Sequence, residues 1–212
     1  MAEYTWGEFF DMVRDEANKA DTIDTVLPNA VYRALRSIEE NWSYKWNEKL
    51  LKFHISEDND NPNLLELPDD FKSMVALNLS STDFEECYRR LEEQLPEEFT
   101  FSKSSEPYGY WNQANRWIWL DGVVSGGTSG LLWYNAFTPK EALENLEGTS
   151  PILKYGLEAL LGVTMQQLAA YCREPSWIDS YGRLAEIGIK TLHVADAEVR
   201  RDTETGMFGG LK

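Results

Sequence analysis

Ser150-Pro151-Ile152-Leu153-Lys154-Tyr155-Gly156-Leu157-Glu158-Ala159-Leu160-Leu161-Gly162-Val163 opens the stretch from which the architecture follows. Ser150 can cap a helix, and Pro151 fits its first turn, where a missing N–H costs nothing. Ile152, Tyr155, Leu160, Val163 and Leu168 then recur at spacings of three and five residues, roughly one per helical turn, so a helix is predicted as far as Tyr171. Glu174-Pro175 breaks the pattern. A second helix is predicted with Trp177, Tyr181, Leu184, Ile187, Leu192, Ala195 and Val199 along one stripe. The break is short, so the two helices should fold back as a hairpin. Gly156, Ala159 and Gly162 form a row of small residues. Glycine inside a helix costs about 0.5–1 kcal/mol against alanine, and close approach of another backbone would compensate. An ordinary core helix pair explains these residues; they point to a scaffold and not to a reaction.

Outward from this hairpin, the N-terminal part is also helical. Thr5-Trp6-Gly7-Glu8 has the form of a capping box. Phe9, Phe10, Val13 and Ala17 carry that helix to about Ala20. A second helix starts near Pro28. Val31, Leu35, Ile38, Trp42 and Trp46 mark its apolar stripe, and it is expected to end near Glu48.

The period then changes to two. Leu51, Phe53 and Ile55 alternate with Lys52 and His54, which reads as a strand. Ser56 to Asn63 reads as a loop, Leu64 to Leu67 as a short strand, Leu67-Pro68-Asp69-Asp70-Phe71 as a turn, and Met74 to Leu79 as a strand. Asp83 to Phe99 is rich in glutamate and interrupted by Pro96, and resolves only into short pieces. Tyr108-Gly109-Tyr110-Trp111 and Trp117-Ile118-Trp119-Leu120 flank an Asn-containing loop as a hairpin. Leu131 to Phe137 is a further strand after a glycine-rich turn. Thr138-Pro139 opens a linker, with a short helix from Lys140 to Leu146.

The expected class is therefore α+β. Residues 1-50 and 139-202 form a helix bundle, 51-138 a β-rich antiparallel insertion, and 203-212 a flexible C-terminal tail. Met207-Phe208-Gly209-Gly210-Leu211 is more apolar than most solvated tails, which suits a segment that docks on a partner or a frayed end.

Composition excludes several functions. The net charge is −16, from 36 acidic and 20 basic residues. Gripping nucleic acid through phosphates needs clustered Lys and Arg, and Arg89-Arg90 and Arg200-Arg201 are the only adjacent basic pairs. No apolar run approaches the ~18 residues of a membrane span. Met1-Ala2-Glu3-Tyr4 lacks the pattern of a signal peptide. Cys87 and Cys172 have no metal-binding spacing and suggest free thiols in a reducing compartment.

Candidate chemistry is sparse. His54 and His193 stand alone, where zinc needs several ligands. Asp58 and Asp60 mimic the start of a calcium loop, but the sixth position is Asn63 rather than Gly and the twelfth is Asp69 rather than Glu. Gly126-Gly127-Thr128-Ser129-Gly130 lacks the lysine of a phosphate cradle. No catalytic, metal or cofactor residue is assigned, and the chain is not expected to be an enzyme. The closest to a reactive site is aromatic: Trp111, Trp117, Trp119 and Trp133 lie among carboxylates. They could stack on sugars, with paired carboxylates cleaving a glycoside, or simply form the buried face of a small sheet.

In order along the chain come a helix pair ending in Trp42 and Trp46, the Leu67-Pro68-Asp69-Asp70-Phe71 step, the Tyr108 to Trp119 hairpin, and Leu132-Trp133-Tyr134-Asn135. The Ser150-Pro151-Ile152-Leu153-Lys154-Tyr155-Gly156-Leu157 helix opening follows, then a last helix and a glycine-rich tail. This order resembles the head–tail adaptor, or connector, proteins of tailed bacteriophages across nearly the whole chain. The resemblance implies a structural virion protein, made in the host bacterial cytoplasm and placed in the virion neck. It implies a self-associated ring, usually of about twelve subunits, beneath the portal protein and above tail or nozzle proteins. DNA would pass through the channel without specific binding, and no membrane is involved. On that reading the acidic charge keeps DNA sliding. Gly156, Ala159 and Gly162 serve helix packing within or between subunits, and Met207, Phe208, Gly209, Gly210 and Leu211 order on the portal.

Overall fold

The computed structural model describes residues 3–18, 23–56, 58, 61, 63–81, 84–95, 109–113, 116–122, 124 and 127–208. The fold is α+β, with helices from both ends of the chain and sheets between them. The chain divides into two compact units: Met1–Trp46 with Thr138–Lys212, and Asn47–Phe137.

In the helical unit, α1 spans Trp6–Ala17. Its capping box forms: Glu8 N–H donates to Thr5 Oγ1 (3.2 Å) and Thr5 N–H to Glu8 Oε2 (2.8 Å). The Trp6 and Gly7 N–H groups, which have no partner within the helix, donate to the carbonyls of Gly148 and Leu146. The helix stops before the expected Ala20 because Asn18 turns left-handed, with φ 47°. Helix α2 spans Leu27–Asn41 and buries Leu27, Val31, Ala34, Leu35 and Ile38. It does not continue to Glu48. Trp42 is extended, Lys45–Asn47 forms a 3-10 turn, and Glu48 already begins a strand.

The predicted Ser150-to-Tyr171 helix is two helices. Gly156, at φ −135° and ψ 27°, separates α3 (Pro151–Tyr155) from α4 (Leu157–Cys172). Arg173 ends α4 in the left-handed conformation, with φ 58°. Helix α5 runs from Ser176 to Phe208, 33 residues or about 50 Å at 1.5 Å per residue. Helix α4 is apolar on most sides because it packs against α1, α2 and α5 together. The helical backbone of α5 covers Thr203 to Phe208, which the sequence assigns to the tail.

The inner face of α5 also differs from the predicted stripe. Ile187 is 57% exposed, whereas Ala185, Gly188, Leu192 and Asp196 are buried. The reason is close packing. A Cβ on Gly162 would lie 2.6 Å from the Ala185 nitrogen, and one on Gly188 would fall on the Ala159 backbone. Small residues, rather than large apolar ones, mark the seam because the two backbones meet there.

The second unit holds two four-stranded sheets. The first has the order β1 (Glu48–His54), β8 (Ser129–Ala136), β3 (Phe71–Ser81) and β4 (Phe84–Arg90), all antiparallel neighbours. The second has the order β2 (Leu64–Glu66), β7 (Trp117–Leu120), β6 (Gly109–Gln113) and β5 (Glu92–Glu93). In it the β5–β6 pair is parallel, a departure from the expected wholly antiparallel insertion. Both sheets contribute to one apolar core, which includes Leu77, Leu79, Tyr110, Ile118, Leu132 and Tyr134. Opposite Phe53 stands Gly130, and the Phe53 ring lies over it where a Cβ would collide.

Candidate assembly surfaces

The residues singled out from the sequence fall in three places. Gly156, Ala159 and Gly162 are buried against α5 of the same chain: a Cβ on Gly156 would meet the Leu192 side chain. Met207 and Phe208 end α5, and Gly209, Gly210 and Leu211 lie outside the described residues. Trp117 and Trp119 do not form the core face. Ile118 and Leu120 of β7 are buried, while Trp117 is half-buried and Trp119 is 37% exposed. Trp133 is half-buried on β8, between buried Leu132 and Tyr134. Trp111 stands opposite Trp119 in the register. Alternation puts Trp117 and Trp119 on one face, as expected, but that face points away from the buried one.

The other candidates have structural surroundings. His54 Nδ1 lies 3.1 Å from Ser129 Oγ on the neighbouring strand. His193 stacks on Trp42, with ring centroids 4.2 Å apart. Asn63 Nδ2 donates to the carbonyls of Leu120 and Gly122, tying its loop to the end of β7. Asp60 and Gly126 lie outside the described residues. Among the described residues no group of three or more His, Cys, Asp and Glu is arranged to hold a metal. Among them also, no helix is long and apolar enough to cross a membrane.

Two buried carboxylates, which the sequence reading passes over, organise the helical unit. Glu39 of α2 accepts from both the N–H (3.0 Å) and the hydroxyl (2.6 Å) of Thr138, at the predicted linker. Asp196 of α5 accepts from the Trp42 indole N–H (3.1 Å), the Lys45 N–H and Arg200 Nε (2.7 Å). Arg200 also donates to the Ser43 carbonyl. With the stacking of Trp42 on His193, these contacts fasten residues 42–45 to one region of α5, which is why α2 ends at Asn41. The signal available in the sequence is an aspartate one turn beyond Leu192 on a helix.

Rings continue this anchor. Tyr44 stacks on Trp46 at 4.8 Å, and Trp46 on Tyr155 at 5.7 Å. Burial first, then the charges of Asp196 and Glu39, pushes the Tyr44 hydroxyl well above its ordinary value. Tyr155 also borders a shallow groove with Tyr4, Lys154 and Leu157. In the second unit, Tyr134 donates to Asp70 Oδ1 at 3.0 Å, and Lys49 engages the other oxygen of Asp70. Burial and that hydrogen bond push Tyr134 up to about 12.

The large apolar side chains left in solvent fall in both units. Leu50 (65% exposed) and Leu51 are on β1, and Ile187 and Val194 (61%) are on α5. No family model matches the sequence, and no curated protein matches it significantly.

Proposed function

We propose that the chain is a structural head–tail adaptor of a tailed bacteriophage: a ring subunit that binds the portal, meets tail or nozzle proteins and leaves a conduit for DNA. The observation that carries this reading is the length of α5. Its packing on α4 and on the preceding Gly156 runs from Gln166–Ile178 to Gly156–Leu192, and its contacts with residues 42–45 reach Arg200. The helix then continues two turns further, to Met207 and Phe208. An apolar end on an extended helix suits insertion into a partner. The order of the parts, with helices from both chain ends and a β-rich insertion, suits the same family.

The test uses the full chain mixed with the portal protein encoded beside it in a phage genome. Rings on the portal are expected by negative-stain electron microscopy, and deletion of Thr203 to Lys212 should abolish docking while leaving the thermal unfolding cooperative, with only the small loss of helical signal that the last residues of α5 account for. Undiminished docking of the shortened chain would refute the role given to the tail, and a full chain that never binds portal would refute the adaptor reading. A second reading is favoured by one observation: Trp117 and Trp119 face away from the core, as a sugar-stacking surface would require. Saturable quenching of tryptophan fluorescence by an oligosaccharide, lost in Trp119→Ala, would support it.

A further inference from the structure

Strand β1 is an edge strand: among the described residues it pairs with β8 on one side and has no strand on the other within its sheet. Its residues Lys49, Leu50, Leu51 and Lys52 are all exposed, and Leu50 is the most exposed large apolar side chain among the described residues. An open edge with exposed apolar residues is a template for another strand. Lysine on an edge ordinarily blocks such pairing. Here the order of charges along β1, Glu48-Lys49-Leu50-Leu51-Lys52, changes that conclusion.

If a second β1 is laid antiparallel with Leu50 opposite Leu50, Glu48 of each strand falls opposite Lys52 of the other. Both ion pairs and the leucine pair lie on one face, because residues 48, 50 and 52 alternate with 49 and 51. On the opposite face Lys49 meets Leu51, and the Lys49 ammonium is already engaged by Asp70 of its own chain. No like charges oppose each other in this register. Opposite charges directly across an antiparallel pair are favourable and like charges unfavourable. A slip by one residue would set residues from opposite faces against each other.

We propose that the unassembled chain is a two-fold dimer joined through β1, its four-stranded sheets continuing into one sheet of eight. The partner is thus a second copy of this chain, and the contact is isologous. This inference stands apart from the adaptor reading. A single ring is built from head-to-tail contacts and would not retain this pairing, so the dimer is the state that assembly has to open.

The test uses the purified full chain alone. Analytical ultracentrifugation should show a dimer, and Lys52→Glu, which sets a second carboxylate against Glu48, should weaken it by about tenfold or more. The double exchange Glu48→Lys with Lys52→Glu restores opposite pairs and should restore the dimer; this rescue separates charge pairing from misfolding. In a Cys87→Ser background, Leu50→Cys should form a disulfide-linked dimer on oxidation, since directly opposed Cα atoms about 4.5–5.5 Å apart suit a disulfide. Leu51→Cys, whose copies stand diagonally, should not. A monomeric wild-type chain at about 100 µM, roughly the range where weak pairing still shows, would overturn the proposal. So would a Lys52→Glu chain that dimerises unchanged, or equal cross-linking at residues 50 and 51. None of these outcomes bears on whether the chain binds portal.

Discussion

The two units treat their buried carboxylates in opposite ways. In the helical unit, Asp196 is buried with three donors on its carboxylate and Glu39 with two from Thr138. In the β unit, Asp121 is just as buried, yet neither of its oxygens has a partner among the described residues. The packing differs as well. The seam between α4 and α5 admits no Cβ at Gly162 or Gly188, whereas the β unit leaves Leu50 and Leu51 in solvent on an open edge. The lesson is that the helical unit satisfies its buried carboxylates internally, while the β unit holds one with no partner among the described residues and presents a strand edge that another chain can complete.

The sharpest break in this contrast would come at the helix seam. Gly188→Ala places a methyl group on the Ala159 backbone, which cannot rotate away. A loss of about 3 kcal/mol is expected by urea denaturation, the upper end for overpacking because backbone cannot yield. Gly182→Ala is the control: its Cβ would meet only the end of the Gln166 side chain. With alanine favoured in a helix by about 0.5–1 kcal/mol, that variant should be neutral or slightly stabilised. If both variants lose the same stability, the seam is not close-packed as described.

Next come the two aspartates. Asp196→Ala removes the acceptor for Trp42, Lys45 and Arg200, and should cost about 2–3 kcal/mol. A red shift of tryptophan emission should accompany it as the Trp42 indole loses its partner. Asp121→Asn should act with the opposite sign, adding about 1 kcal/mol, because a buried carboxylate with no partner among the described residues is costlier than a neutral amide. Equal losses at both positions would remove the contrast between the units.

The smallest effect is alkaline and should be shared. Tyr181, which donates to Glu16, and Tyr134, which donates to Asp70, are each pushed up to about 12, in both cases by burial first and hydrogen bonding second. The unfolded chain releases these protons near pH 10, where the native state still holds them. Their contribution is therefore fully present below about pH 10 and is lost as the pH rises toward 12. Denaturation midpoints should fall across that window, and Tyr134→Phe and Tyr181→Phe should each flatten the decline. An unchanged slope in both variants would place the alkaline loss elsewhere.

Much of the local structure is legible in residue order because its causes are local. Thr5 and Glu8 cap α1 through bonds three residues apart, and the Trp117–Leu120 alternation marks a strand whatever it packs against. The row Gly156, Ala159 and Gly162 signals close approach, since glycine in a helix needs a reason. The candidate surfaces were less legible. Ile187 fits the predicted core stripe of α5 as well as Ala185 does, and only the position of α4 exposes one and buries the other. Trp42 continues the α2 pattern, yet leaves the helix because Asp196, 154 positions away, accepts its indole N–H.

The amino-acid order by itself set the α+β class, the helix hairpin, the excess of acid and the small residues at the seam, because periodicity, capping and composition act over a few residues. Tertiary structure alone decided where α2 stops, which stripe of α5 is buried, which face of β7 shows its tryptophans and which strand is left as an edge. Those outcomes depend on groups far apart in sequence. A side chain's burial is settled by what arrives opposite it, and that partner is not written in its neighbours.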